Sequence, residues 1–158
     1  EIGSGLVGSE MCIRDSSIPG YRFELGKGAI VRDGSDVTVI ACGIMVHKAL
    51  EAANLLEERL ISVRVVDMYS IKPIDRELIV KCAKETGAIV CAEEHNIHGG
   101  LGSAVSEVLA YEACGVPTEF VGIQDTFTES APYKELLAKY GIDADGVIEG
   151  IEKVLDRK

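Results

Sequence analysis

Short β-branched segments alternate with amphipathic helical segments along most of the chain, and this alternation constrains the fold more than any other feature. The first full unit is a strand over residues 36–42, a helix over 45–60 and a second strand over 62–68. Apolar residues recur every three or four positions in the helical segment, with Leu56 and Leu60 on its inner face, whereas the strands are apolar almost throughout. Strands joined by such helices run parallel, with helices on both faces of the sheet. The pattern therefore predicts an α/β domain with three layers, α/β/α.

The same spacing continues to the C-terminus. It predicts a short strand over residues 29–31 ahead of the first unit and later strands over 87–94 and 117–123. The remaining predicted helices cover 76–86, 101–113, 133–139 and 145–156. Asp75 and Ser130 precede two of these helices and are the residue types that cap a helix N-terminus.

The chain divides into three segments by composition. Residues 1–16 have no helix or strand period and differ from the rest, which indicates a foreign run-in or a disordered tail. Residues 17–27 are interpreted as a linker. Residues 28–158 hold all the periodic segments and are predicted to form one domain.

Charge and cysteine usage exclude several classes of protein. The net charge of −10 over 158 residues argues against nucleic acid and anionic membrane as partners. No apolar run approaches the roughly 20 residues that span a bilayer, and the N-terminus lacks the basic and apolar regions of a secretory signal. The five cysteines are odd in number and form no CxxC pair, which is typical of reduced thiols. These features predict a cytoplasmic location.

Ligand sites in an open parallel sheet lie beyond the carboxyl ends of the strands. Four segments qualify: residues 42–47, 67–73, 93–102 and 124–130. They contain no Ser-His-Asp or Cys-His arrangement and no P-loop, so these residues alone define no catalytic site. Phe127 lies in the last segment and needs a place to be buried, either in this domain or in a partner.

The stretch AEEHNIHGGLG at residues 92–102, which contains the third of these segments, holds the densest set of polar residues and glycines. Its two histidines lie in a loop and lack further ligands, which disfavours a metal site. Its glycines do not fit the dinucleotide-binding pattern. The open interpretations are a helix N-terminus whose amides accept an anion or a neighbouring carboxylate, and glycines that let the backbone approach another surface.

Four stretches carry a resemblance to a known family. They are YRFELGKGAIVRDGSDVTVIACGIMVHKALEAA, VVDMYSIKPIDRELI, ETGAIVCAEEHNIHGGLGSAVSEVLA and VGIQDTFTESAPYKELLAKYG. In this order and at this spacing they resemble the C-terminal domain of transketolase-like thiamine-diphosphate enzymes, above all the separate C-terminal subunit of two-subunit transketolases.

The resemblance implies a fold and a function. The sheet would have five strands, the first antiparallel to the others. The assembled enzyme would move two-carbon ketol units between phosphorylated sugars with thiamine diphosphate and magnesium. Its cofactor would lie between pyrimidine-binding and phosphate-binding domains that this chain lacks. The chain alone would therefore bind no cofactor and be inactive, and its partners would be those domains and further copies of itself.

The resemblance also assigns an interface or active-site-edge loop and no catalytic, cofactor or metal residue. The loop residues are Glu94, His95, Gly99, Gly100 and Gly102. His98, Thr128 and Ala131 depart from the family pattern. Two alternatives remain open: the same domain of a 1-deoxyxylulose-5-phosphate synthase or of a 2-oxo acid dehydrogenase β subunit, and a free-standing interaction module.

Overall fold

The computed structural model describes residues 23–158. Residues 1–16 and residues 17–22 of the expected linker lie outside the described residues, so the interpretation of the run-in stays a prediction. The five strands are β1 (Ala29–Arg32), β2 (Val37–Ala41), β3 (Val63–Asp67), β4 (Ile89–Asn96) and β5 (Thr118–Ile123). The five helices are α1 (Ile44–Glu57), α2 (Arg76–Thr86), α3 (Leu101–Tyr111), α4 (Tyr133–Lys139) and α5 (Ala144–Leu155).

The strands form one sheet in the order β1-β3-β2-β4-β5. β1 pairs with β3 antiparallel, and the other neighbours are parallel. Central β2 is buried along its whole length, with Val39 paired to Val65 on one side and to Val90 on the other. The predicted α/β/α class and the antiparallel first strand are both confirmed.

Two hydrophobic cores lie on opposite faces of the sheet because alternate strand residues point to opposite sides. On one face Val39, Val65 and Val90 pack with the buried sides of α1 and α5. On the other face Ile40 and Val66 pack with α2 and α3. The chain therefore covers both faces of its sheet with its own helices.

The end of α1 differs from the sequence prediction. The helix ends at Glu57 rather than at residue 60, and Leu60 adopts φ 59° with 92% of its surface exposed. The amide of Ile61 donates to the Leu56 carbonyl at 3.1 Å, so the chain turns back and Ile61 packs against the core instead. The prediction that Leu60 lies on the buried face of the helix is therefore wrong.

Capping follows the prediction at α2 and departs from it at α4. The Asp75 carboxylate accepts a hydrogen bond from the Leu78 amide at 3.1 Å, as predicted. Helix α4 begins at Tyr133 with Pro132 at its N-cap, so Ser130 lies too far upstream to cap it. The prediction for Ser130 is wrong because Pro132, with its fixed φ, starts the helix without a side-chain cap.

Candidate functional site at the carboxyl ends of the strands

The segments that follow β3, β4 and β5 lie at one end of the sheet, beyond the carboxyl ends of the parallel strands. We call the surface formed by residues 23–28, 68–74, 94–100 and 124–133 the strand-end face. Residues 23–28 belong to it because β1 runs antiparallel, so the chain enters β1 at this edge. The Gly26 amide donates to the Ser70 hydroxyl at 3.0 Å, and the Gly28 amide donates to the Asp75 carboxylate at 3.2 Å. The entering chain is thereby fixed on this face.

The N-terminus of α3 is already occupied by a carboxylate of this chain. Glu93, which is 3% exposed near the end of β4, accepts hydrogen bonds from the amides of Leu101 at 2.7 Å and Gly102 at 2.9 Å. A negative charge at this position also interacts favourably with the helix dipole. The carboxylate interpretation of AEEHNIHGGLG therefore fits the structure, and these two amides are not open to an external anion.

Two of the five predicted loop residues make space for that cap. A Cβ at Gly100 would overlap the Glu93 carboxylate, and a Cβ at Gly102 would overlap the Phe120 ring. Gly99 differs: nothing lies within 4 Å of its Cβ position, but its φ of +81° favours glycine. The close approach that the glycines permit is thus an approach within this domain at Gly100 and Gly102.

The other two predicted residues face solvent. Glu94 accepts a hydrogen bond from the Tyr133 hydroxyl at 3.0 Å, which joins the end of β4 to the start of α4. His95 is exposed, with Nδ1 2.9 Å from the Asn96 carbonyl oxygen. Glu94, His95 and Gly99 therefore form the outer part of the loop, while Gly100 and Gly102 lie beneath it.

Asn96 ties the loops after β4 and β5 together. Its side-chain amide donates to the Asp125 carboxylate at 3.1 Å, and its side-chain oxygen accepts from the His98 amide at 2.8 Å. The Ile97 amide adds a bond to the Ile123 carbonyl at 3.0 Å. The two loops therefore form one braced surface.

A cysteine lies beside this cap. Burial raises the pKa of the Cys42 thiol to about 11, and the nearby carboxylates of Glu93 and Asp67 add to the effect. A thiol of this pKa stays protonated at neutral pH and is a poor nucleophile. The arrangement therefore does not equip Cys42 for covalent chemistry.

Large apolar side chains also stand on the strand-end face with much of their surface in solvent. They are Phe23, Leu25, Ile71, Phe127 and Tyr133. Phe127 is fully exposed, so it finds no burial within the described part of this domain. A group of exposed apolar residues on one edge is typical of a surface that another protein covers.

Within residues 23–158 no three His, Cys, Asp or Glu side chains are grouped so that they could hold a metal ion. Over the same residues, no helix combines the length and the apolar character needed to cross a bilayer.

These features define a class: an α/β/α domain with a five-stranded mixed sheet and braced loops at the carboxyl ends of its parallel strands. The family model described as the transketolase C-terminal domain matches residues 26–147. The chain belongs to this family. A solved structure of a split-gene transketolase, described as an inactive beta4 tetramer, matches with a TM-score of 0.83 and 53% identity over 88% of this chain and 45% of that chain.

Relatives with different enzyme names are similarly close. A 1-deoxy-D-xylulose-5-phosphate synthase of Geobacter sulfurreducens is 45% identical over 85% of this chain and 21% of its own length. A 6-deoxy-6-sulfo-D-fructose transketolase subunit of Clostridium sp. is 41% identical over 86% and 42%, respectively. An apulose-4-phosphate transketolase subunit of Phocaeicola vulgatus is 43% identical over 80% and 40%. The chain therefore spans about a fifth to two fifths of these curated relatives.

Glu93 is the residue that sequence reasoning missed: it lies in a strand-end segment, but its sequence context alone assigns it no role. The available signal was the start of α3. Gly99 and Gly100 provide no capping side chain, so the first amides of the helix need an acceptor from elsewhere. A carboxylate at the end of the preceding strand meets that need.

Proposed function

We propose that this chain is the C-terminal assembly domain of a transketolase that moves two-carbon ketol units between phosphorylated sugars. The observation that carries the proposal is the strand-end face, where loops braced by the contacts of Asn96 and Glu94 stand beside exposed apolar residues. The 53% identity to a split-gene transketolase over most of the chain supports the same enzyme class. The isolated chain is inactive under this proposal.

Thiamine diphosphate and magnesium would be held by the pyrimidine-binding and phosphate-binding domains of the assembled enzyme. This chain would contribute binding surface and no proton-transfer group. Its partners would be those domains, on the same polypeptide or on an N-terminal subunit, and further copies in a homo-oligomer. Cys42, Cys82, Cys91 and Cys114 are free thiols, which supports a reducing compartment such as the cytoplasm.

A second candidate is the same domain of a 1-deoxy-D-xylulose-5-phosphate synthase, favoured by the 45% identity to the Geobacter protein. An activity assay separates the two candidates. It uses the complete polypeptide that carries this domain, any complementary subunit, thiamine diphosphate and magnesium. Ketol transfer between phosphorylated sugars would support transketolase. Formation of 1-deoxy-D-xylulose 5-phosphate would support the synthase. The absence of both reactions would support the free-standing interaction module.

We further propose that Glu94, His95 and Gly99 contact the rest of the enzyme, with Gly100 and Gly102 supporting them from below. Gly100→Val is a poor test because its side chain would displace the Glu93 carboxylate inside this domain. His95→Ala removes an exposed ring and leaves that cap in place. It should weaken assembly and lower turnover of the whole enzyme, whereas His98→Ala, three residues away and also exposed, should not. Equal, unchanged behaviour of both variants would contradict the role of His95.

A further inference from the structure

The two outermost strands of the sheet, β1 and β5, differ in how much free backbone they offer to a further strand. Strand β1 has four residues and shifts register against β3 between Ile30 and Arg32. A short, irregular outer strand is a poor template for pairing. Strand β5 has six residues and stays in regular register with β4 from Thr118 to Val121. Within residues 23–158 no strand lies beyond β5, so the sheet could be extended there.

Alternate residues of β5 direct their backbone groups away from β4. The Ile89 amide of β4 donates to the Pro117 carbonyl at 3.0 Å, so the Pro117 carbonyl faces β4. Backbone groups alternate in direction along a strand, and the carbonyls of Thr118, Phe120 and Gly122 therefore point outwards. A row of outward carbonyls on an outermost strand is what a second strand needs for pairing.

Each of these three outward carbonyls accepts a hydrogen bond from a side chain of the same chain. The guanidinium of Arg157, which follows α5, donates to the Thr118 carbonyl at 3.1 Å. The side-chain amide of Gln124, which follows β5, donates to the carbonyls of Phe120 and Gly122 at 3.4 Å each. The outward carbonyls of β5 are therefore already satisfied by the chain itself.

The guanidinium of Arg157 is held beside β5 by two further contacts. Its Nε donates to the Lys153 carbonyl at 3.1 Å, and its Nη2 pairs with the Glu119 carboxylate at 2.5 Å. Glu119 belongs to β5, so a charged pair lies along the outer side of the strand. An incoming strand would have to desolvate this pair and displace both side-chain donors, and each of these changes opposes pairing.

We propose that Gln124 and Arg157 keep β5 closed to strand pairing, so that a second copy of this chain cannot extend the sheet there. A second copy is the strand donor that these side chains exclude, because two β5 strands related by a twofold axis would pair antiparallel through the same residues. Under this inference, the homo-oligomer of the proposed function is joined through other surfaces.

The test uses the double variant Gln124→Ala/Arg157→Ala of the 158-residue chain. Both side chains are exposed, so the urea unfolding transition should stay close to that of the parent. Amide hydrogen exchange of residues 118–123 is measured by mass spectrometry while the protein concentration is raised about a hundredfold. In the parent, exchange of this segment should not depend on concentration. In the double variant it should slow, with an association constant at least about tenfold higher, because the unpaired carbonyls gain strand amides as partners.

The matched control is Asn54→Ala/Arg59→Ala, which removes the same two side-chain types from exposed positions near the end of α1. This variant should behave like the parent. Because exchange is measured at β5, association through the strand-end face does not produce the expected signal. If the double variant is less stable than the parent, the single variants Gln124→Ala and Arg157→Ala are measured instead, and each should show a smaller slowing.

Three results would overturn the proposal. The first is exchange of residues 118–123 that stays independent of concentration in the double variant, or in both single variants where these replace it. The second is slowing with concentration in the parent, since β5 would then pair without any substitution. The third is an equal slowing in the control variant, which would assign the effect to lost charge rather than to β5. A lack of ketol transfer would contradict the proposed function and leave this result unaffected.

Discussion

Oε2 of Glu93 accepts a 2.7 Å hydrogen bond from the backbone amide of Leu101, eight residues later in the chain. This contact closes the turn between β4 and α3 and is reinforced by the Gly102 amide at 2.9 Å. A buried carboxylate that satisfies two helix amides orients the helix relative to the sheet. The loop that connects them, including Glu94 and His95, is therefore held in position from beneath.

Glu93→Gln should lower the free energy of unfolding of the chain by about 1–2 kcal/mol. The amide side chain keeps the shape but has one acceptor oxygen where two are used, and its NH₂ group would face a helix amide. Urea denaturation followed by circular dichroism measures the difference. Glu94→Gln is the matched control, since Glu94 is exposed and its amide can still accept from Tyr133. Equal stabilities of the two variants would show that Glu93 does not cap the helix.

The glycines around this cap should differ in their tolerance of alanine. Gly100→Ala and Gly102→Ala should each cost about 2 kcal/mol or more, because the new Cβ overlaps Glu93 or Phe120. Gly99→Ala should cost about 1 kcal/mol for its left-handed backbone alone.

Gly115→Ala is the control for this series, with nothing within 4 Å of its Cβ position and an expected change within about 0.5 kcal/mol. The four free energies of unfolding are compared under one buffer condition. An order in which Gly115→Ala is as damaging as Gly100→Ala would contradict the steric explanation.

The layers of this fold could be predicted because apolar strand segments alternate with helical segments whose apolar residues recur every three or four positions. The strand predicted over residues 36–42 is apolar apart from Asp36 and Thr38 and lies centrally as β2, and Asp75 caps α2 as its position suggested. The antiparallel direction of β1 came from the family resemblance. A four-residue strand has too few positions to define its own direction, and only its pairing with β3 fixes it.

The candidate site was less accessible to sequence reasoning because its key contacts join residues that are distant along the chain. Glu93 and Leu101 are eight residues apart, Asn96 and Asp125 are 29 apart, and Glu94 and Tyr133 are 39 apart. The prediction of where α1 ends was wrong for a local reason. Leu60 is apolar and fits the helical period, yet it adopts a left-handed conformation that periodicity does not indicate.

Arg64 lies near the amino end of β3, at the end of the sheet opposite the strand-end face, and should contribute to the stability of the domain. Its side chain is largely buried, donates to Asp33 at 2.9 Å through Nε and pairs with Glu85 at 2.5 Å. Arg64→Ala removes the packed stem as well as both pairs, so we expect a loss of about 2–3 kcal/mol in unfolding free energy.

Arg59→Ala provides the comparison for Arg64, because Arg59 pairs with Glu152 at 2.6 Å in an exposed position. Exposed pairs of this kind contribute at most about 1 kcal/mol. Chemical denaturation of both variants gives the two values. A loss for Arg59→Ala that matches the loss for Arg64→Ala would mean that burial does not distinguish the two pairs.

Cys91 should make the stability of the domain fall at alkaline pH. Complete burial raises the pKa of its thiol above the ordinary value of 9.0, with the Glu93 carboxylate and Cys42 as further causes. Above pH 9 the unfolded chain releases this proton while the folded chain keeps it. Ionisation therefore stabilises the unfolded state, and the free energy of unfolding falls as pH rises. For this one thiol the loss between about pH 8 and pH 10 should be about 1.4 kcal/mol.

Cys91→Ala removes that titration while also removing some packing. The variant should be less stable than the parent chain at about pH 8, and the gap should narrow by about 1.4 kcal/mol by about pH 10. Val90→Ala, a packing change at a neighbouring buried residue that does not titrate, should keep a constant gap. Urea titrations in a reducing buffer at both pH values measure the gaps. A gap that stays constant for Cys91→Ala would contradict this prediction, because the thiol would then ionise equally easily in the folded and unfolded states. Its burial between the sheet and the helices on that face opposes equal ionisation.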